Sequence, residues 1–376
     1  MRKNLFVRSI AAVSGIVMLA SLAACGDNTS SAGNNSGSTS TEKITGSFSG
    51  AGATSQQAAE EAWISAYMAA NSGANVTYNP TGSGAGVTTF LSGATAWAGS
   101  DKALSDDEVT QSSDKACANG TTAFDVPVYI SPIAIIFNLK GVSDAGKHIN
   151  LDADTAAKIF DGKIVKWNDP AIANQNKDLT LPDTQITVVH RSDKSGTTQN
   201  FVSYFKDQAP DSWTHELSEN WPDIPGQQSA KGTSGVVTAV KQADGTIGYA
   251  DFSQVGDLGT AAIKVGENYN EISADAGSKV IEDSEIDTSV KGDNRVVVKI
   301  NHATEAKGAY PIVLVSYDIA CPAYKDASTA KFVKSWLTYV TSDEGQKTAS
   351  SAAGSAPLPS NIVKKVTKSI EAIKTE

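Results

Sequence analysis

Short Val- and Ile-rich segments alternate along this chain with stretches whose apolar residues recur every three or four positions, and no other feature narrows the fold as much. Residues 75–78, 133–138, 186–190, 295–300 and 312–317 read as strands. Between them, Ala58, Ala62, Trp63, Ala66 and Tyr67 mark one helical face, and Phe332, Val333, Trp336, Leu337 and Val340 mark another. Such alternation predicts an α/β chain with largely parallel sheets. From Ile44 onward the length is enough for two domains. Residues 256–292 are polar and weakly patterned and support no assignment.

The start of the chain has a different character. Arg2, Lys3 and Arg8 precede an apolar stretch over residues 10–22, which is too short to span a bilayer and reads as a secretory signal over residues 1–24. It ends in Leu22-Ala23-Ala24-Cys25, which resembles the bacterial lipobox and makes Cys25 the expected lipidated residue. Residues 26–41 are rich in Gly, Ser, Asn and Thr, so 25–43 is expected to be an anchored, disordered tether holding the protein at the outer face of the cell membrane. Cys117 and Cys321 remain, in an exported chain where a disulfide can persist. Pairing and two free thiols both stay open at this point.

Thirty-one Lys and Arg against 41 Asp and Glu leave a net charge of −10. No basic stripe is available for a polyanion, so nucleic acid is excluded as a partner. Catalysis finds little support either. No Ser sits in a G-x-S-x-G elbow, and His148, His190, His215 and His302 are scattered without metal-ligand spacing. Gly141 to Lys147 fits G-x-x-x-x-G-K, but His148 stands where a phosphate loop needs Ser or Thr. The reading is of a protein that is not an enzyme and uses no metal or cofactor.

Three loops share one design, with small residues and hydroxyls just ahead of a helical pattern. They are Gly50-Ala51-Gly52-Ala53-Thr54-Ser55, Thr81-Gly82-Ser83-Gly84-Ala85-Gly86, and the run from Arg191 through Ser192, Asp193, Lys194, Ser195, Gly196 and Thr197 to Thr198. Glycine lets backbone approach a ligand, and the free N–H groups and dipole of a helix start favour an anion. One such loop is an ordinary cap and turn. Three, one with an Arg at its mouth, point to a convergent oxyanion site.

These loops, with Gly99-Ser100-Asp101, Ile247-Gly248-Tyr249, Gly162-Lys163-Ile164, Trp167-Asn168-Asp169-Pro170 and Pro357-Leu358-Pro359, resemble the phosphate-binding lipoproteins and periplasmic proteins that serve phosphate ABC importers. The ordered set spans nearly the whole mature chain. The resemblance implies a two-lobed, type II periplasmic-binding-protein-like fold, two α/β domains joined by a two-strand hinge. It implies that orthophosphate is enclosed between the lobes and delivered to a membrane permease, by a monomer.

Carried across by position, the resemblance makes Thr54 a hydroxyl donor, Ser55 a backbone donor, and Ser83 a donor through both hydroxyl and amide. Arg191 is the charged donor, oriented by Asp193, and Ser195, Gly196 and Thr197 supply hydroxyls and amides. Asp101 accepts a hydrogen bond from an anion that still carries a proton, which sulfate lacks. Read from the residues alone, Asp101 could equally cap a helix ahead of Asp106, Asp107 and Glu108. Three departures stand out: Lys102-Ala103 replaces a small residue and Pro, Ser55 replaces an aromatic, and Gly84-Ala85 replaces a Ser-Gly pair. The acidic total is no obstacle, because charge is screened over about 8 Å at physiological salt.

Chain order in this fold places lobe one at residues 44–130 plus 311–376 and lobe two at 131–310, with hinges near 129–133 and 309–312. The rival readings are a binder of another tetrahedral oxyanion such as sulfate or molybdate, a secreted phosphatase, and a surface adhesin or signalling lipoprotein on the same fold.

Overall fold

The structure, a computed structural model, describes residues 43–375. The signal segment 1–24, Cys25 and the tether lie outside the described residues.

The chain opens with β1 (Thr45–Gly52), α1 (Gln57–Ala70), β2 (Gly73–Asn79), α2 (Ser83–Leu91), β3 (Trp97–Ser100) and α3 (Asp106–Lys115). The long β4 (Phe124–Asn138) follows, then β5 (Ile149–Leu151), α4 (Ala153–Phe160), α5 (Pro170–Ala173), β6 (Thr187–Arg191) and α6 (Gly196–Gln208). Next come β7 (Gln228–Ala230), α7 (Gly232–Gln242), β8 (Thr246–Asp251), β9 (Gly259–Val265), β10 (Asn268–Asn270), α8 (Ala274–Glu282), β11 (Glu285–Ile286) and β12 (Val298–Lys299). The chain closes with β13 (Val313–Ala320), α9 (Ala327–Val340), α10 (Asp343–Ala353) and α11 (Ser360–Glu371).

Four of the five expected strands fall within β2, β4, β6 and β13, give or take a residue. Of residues 295–300 only Val298 and Lys299 pair, as β12. The weakly patterned 256–292 tract holds β9, β10 and α8. Glycines and serines on β1, and the shortness of β3, hid both strands from a search for Val and Ile.

The sheets are mixed, which corrects the expectation of largely parallel pairing. Strands β1, β2 and β3 are parallel, as are β6, β7 and β8, but β13 runs antiparallel to both β3 and β4, and β4 is antiparallel to β8. The reason lies in β4. Its residues Phe124 to Pro132 pair with β13, and Ile133 to Asn138 pair with β8 while Ile136 and Phe137 also meet β9, so one strand serves two sheet regions. Nearly every side chain of β4 is buried, which requires cover on both faces.

An aromatic cluster fills each side of this strand. Trp63, Tyr67, Trp97, Phe332 and Trp336 pack between α1 and α9, with Phe48 stacked on Phe332 at 4.0 Å between ring centres. Phe160, Phe201, Phe205, Trp213, Trp221 and Tyr249 fill the region around α6 and β8. Burial of this much aromatic surface drives both regions to fold.

Two covalent or ionic ties bind distant segments. Cys117 and Cys321 are joined, with Cα atoms 5.3 Å apart and a sequence separation of 204, a long loop whose closure removes freedom from the unfolded chain. Arg295 meets Asp125 of β4 through two parallel hydrogen bonds of 2.8 and 2.9 Å, both side chains being buried, and also donates to the Leu104 carbonyl. The G-x-x-x-x-G-K stretch contains a single turn of 3₁₀ helix at Ser143–Ala145 and leads into β5.

Three buried acids behave unlike surface carboxyls. Burial pushes Asp318 and Asp251 up to about 7, and burial together with the charge of Asp318 raises Glu60 well above the usual range. A native carboxyl that holds its proton up to pH 7, while the unfolded one releases it near 4, costs stability as pH rises through that window. His302 and His190, held neutral by burial, act in the opposite sense below pH 6.5. The effect is therefore best read as a difference. The Asp318→Asn variant, which cannot ionise, should gain thermal stability relative to the parent as pH rises from about 5 to about 8. A difference in melting temperature that stays constant over that range would contradict the assignment.

Candidate functional site

The three Gly-rich loops and Asp101 meet at one place, although more than a hundred residues separate the first from the third. The positions that would most resent a side chain show how closely they approach. A Cβ added to Gly196 would sit 2.9 Å from Ser83 Oγ and from Asp101, and one added to Gly82 would sit 2.5 Å from Asp193 Oδ2. At Gly82 the backbone also has a φ of 98°, which L side chains rarely adopt.

The second and third loops open helices as expected. The first helical residue of α2 is Ser83, and Ser195 caps α6 by accepting from the Thr198 amide at 3.2 Å. Their first-turn amides have no acceptor within the helix and carry its positive dipole end. The first loop departs from expectation, since α1 begins at Gln57 with Gln56 as its cap, which leaves Thr54 and Ser55 just ahead of the helix.

Asp101 is buried and not a helix cap. Ser105 takes that role for α3, in a reciprocal capping box with Glu108. The carboxylate of Asp101 instead gathers three hydroxyls. Oδ1 accepts from Ser55 at 2.6 Å and Ser316 at 2.5 Å, and Oδ2 accepts from Thr197 at 2.7 Å. Its amide donates to Ser83 Oγ at 3.2 Å, and Asn200 donates to its carbonyl at 2.7 Å. An ionised carboxylate has about four acceptor positions, so one remains on Oδ2.

Arg191 ends β6 and is 3 % exposed, low enough that its charge needs a partner inside the protein. Asp193 supplies it, accepting from Nε at 2.8 Å and Nη2 at 2.5 Å. Burial works against the charge on Asp193, but the two bonds and charge of Arg191, with the Gly232 amide at 3.0 Å, hold it below the usual carboxylate range. Two of the five guanidinium N–H groups are thus used for orientation, and three remain by count. Tyr249, which burial pushes up to about 12, braces the loop by donating to or accepting from Thr198 at 2.6 Å and accepting from the Arg191 amide at 3.2 Å.

Thr54 Oγ1 lies 2.9 Å from Thr233 Oγ1 and accepts from the Thr233 amide, while its carbonyl accepts from Gln254. Lys102, the cation introduced beside Asp101, is turned away to Glu108 at 2.8 Å and Glu219 at 3.5 Å. The remaining motifs are structural. Trp167 is buried and donates to the Gly245 carbonyl, Asp169 caps α5, and the Leu358 amide donates to Gln346.

Sequence reading missed Ser316, Gln56, Thr233 and Gln254. Thr233 stands in Gly232-Thr233-Ser234-Gly235 at the start of α7, a small-residue stretch like the other three and the signal that could have found it; β13 read only as an apolar strand, and the lone hydroxyl in its Val-Leu-Val-Ser run was the available signal there. Among the described residues no three His, Cys, Asp or Glu side chains form a metal cage, and no helix is long and apolar enough to cross a membrane.

A mixed α/β fold whose loops converge on a buried arginine and an accept-only aspartate defines an oxyanion-binding protein of the solute-binding kind, and residues 37–344 match the PBP superfamily domain. A phosphate-binding protein of Mycobacterium tuberculosis, PstS 2, is 36% identical over 381 residues, covering 98% of this chain and 99% of the relative. PstS of Xylella fastidiosa is 32% identical over 328 residues, covering 85% and 83%. The chain belongs to the PstS family within the PBP superfamily. Its fold is shared with a high-affinity periplasmic phosphate-binding protein, PfluDING, solved with bound phosphate, at a TM-score of 0.69 and 23% identity over 86% of this chain and 93% of that one. A phosphate-binding protein of Stenotrophomonas maltophilia matches at a TM-score of 0.67 and 20% identity, with coverage of 86% and 93%.

Proposed function

We propose that this protein captures inorganic phosphate outside the cytoplasm and delivers it to the permease of an ABC importer, binding it between the two lobes and catalysing no reaction. The observation that carries the reading is the pairing, in one buried site, of a guanidinium held by its own carboxylate with a second carboxylate that can only accept. Arg191 and the helix starts at Ser83 and Gly196 attract a tetrahedral anion. Asp101 then requires that the anion bring a proton, which phosphate has at neutral pH and sulfate does not.

Thr54, Ser55, Ser83, Ser195, Gly196 and Thr197 complete the set of donors. Those from residues 44–130 plus 311–376 belong to the first lobe and those from 131–310 to the second, so the ligand favours the closed arrangement by touching both. Retention at the membrane rests on the lipobox-like run before Cys25, and the monomeric state on the enclosure of the site within one chain.

Calorimetric titration of the purified protein, stripped of bound anion, tests the reading. Phosphate should bind one to one at or below about 1 μM, with sulfate giving no heat. Equal binding of both anions would keep an oxyanion binder but remove the role of Asp101. Binding of neither would favour a surface role without transport.

A further inference from the structure

From Asp101 a short chain of hydrogen bonds runs through Ser316 to Gln56, the residue that follows the first glycine loop. Gln56 is fully buried, and its side-chain nitrogen lies 3.2 Å from the Tyr317 carbonyl and 2.7 Å from Ser316 Oγ. A carbonyl can only accept, so the amide nitrogen of Gln56 must be the end that faces it, and both its protons are thereby placed. Ser316 has one proton. Having accepted from Gln56, it directs that proton at Asp101 Oδ1, 2.5 Å away.

Pairing of β13 with β4 changes register between Ser316, opposite Tyr129, and Tyr317, opposite Pro127, which leaves Val128 of β4 as the extra residue beside this chain of hydrogen bonds. Ser55 fills the other acceptor position of Oδ1, so only Oδ2 is left with room for a further donor.

We propose that Ser316 and Gln56 are positioning residues that set the polarity of Asp101, and through it the choice between protonated and fully ionised oxyanions; this rests on the phosphate reading above. Donors to a carboxylate favour its charged, accept-only form. Without the Ser316 hydroxyl, Asp101 has a free acceptor position on the buried side and one fewer donor. The carboxylate is then free to turn, Oδ2 no longer stands as its one open acceptor, and the penalty on an oxyanion that brings no proton falls. With Ser316 present but Gln56 silent, the hydroxyl is free to turn away, which weakens the same constraint.

The test is titration of the full protein and its Ser316→Ala, Ser316→Thr and Gln56→Met variants with phosphate and with sulfate from about pH 6 to about pH 8. Melting temperature checks that each variant is folded. In Ser316→Ala the preference for phosphate over sulfate should fall by about tenfold or more. Sulfate binding, absent from the parent, should appear in this variant. Gln56→Met should move in the same direction by less, and Ser316→Thr, which keeps the hydroxyl, should stay near the parent. If Ser316→Ala and Gln56→Met weaken both anions by one factor, the two residues only support packing and the inference is overturned. A parent protein that binds no phosphate would instead overturn the functional reading on which it stands.

Discussion

Replacing Arg191 by alanine is expected to weaken phosphate binding by about 30-fold to several thousand-fold, the range for removing one partner of a buried, charge-assisted contact. The guanidinium is buried within the converging loops, whereas Lys194 of the same loop is half exposed and pairs with Glu219 at 3.3 Å, and burial of the guanidinium keeps water from competing for the anion. The loss should be no smaller for any other oxyanion the site accepts, because the charge acts on all of them alike. That separates Arg191 from Asp101, whose Asp101→Asn variant should change selectivity more than affinity. Arg191→Lys should recover only part of the loss, since lysine keeps the charge but not the fork that meets Asp193. Calorimetry on the three variants decides the matter. Binding by Arg191→Ala within about twofold of the parent would remove this residue from the site.

The second large effect concerns stability and lies away from the loops. Asp125→Ala should destabilise the protein by about 3–5 kcal/mol, because it leaves the buried Arg295 guanidinium without its carboxylate. The same substitution removes the acceptor of the Leu104 amide, at 2.7 Å, so two buried donors lose their partner at once. A drop of about 4–7 °C in melting temperature is expected for a chain of this size. Replacing both residues by apolar ones of similar volume should recover much of it, since the pair's own net contribution is small once its desolvation is counted. A single variant that melts within about 1 °C of the parent would show that the ion pair is not needed.

The two effects come from residues that differ in how readable they are. Arg191 announces itself, standing between a strand and a helix start with Asp193 two positions on, so that local spacing alone brings the carboxylate to the guanidinium. Asp125 and Arg295 are 170 positions apart, and each is an ordinary charged residue in its own neighbourhood. Their pairing exists only because residues 287–300 return to pack against β4. Ser316 is hidden in the same way, 215 positions from Asp101 in a strand whose pattern says only that it is buried. Ser55 was expected to act through its amide, and the structure adds its hydroxyl on Asp101, a contact set by the placing of β3 beside β1.

What the amino-acid sequence determined by itself is local: the glycine and hydroxyl loops at helix starts, the Arg191 to Asp193 spacing, and the apolar periods of strands and helices. These follow from backbone sterics and from interactions within a few residues, where chain connectivity already does the bringing together. The tertiary structure decided the direction of β13, the division of β4 between two sheet regions, and the three hydroxyls that leave Asp101 a single acceptor position. Those depend on which buried surfaces find each other across long stretches of chain, and no local pattern specifies such partners.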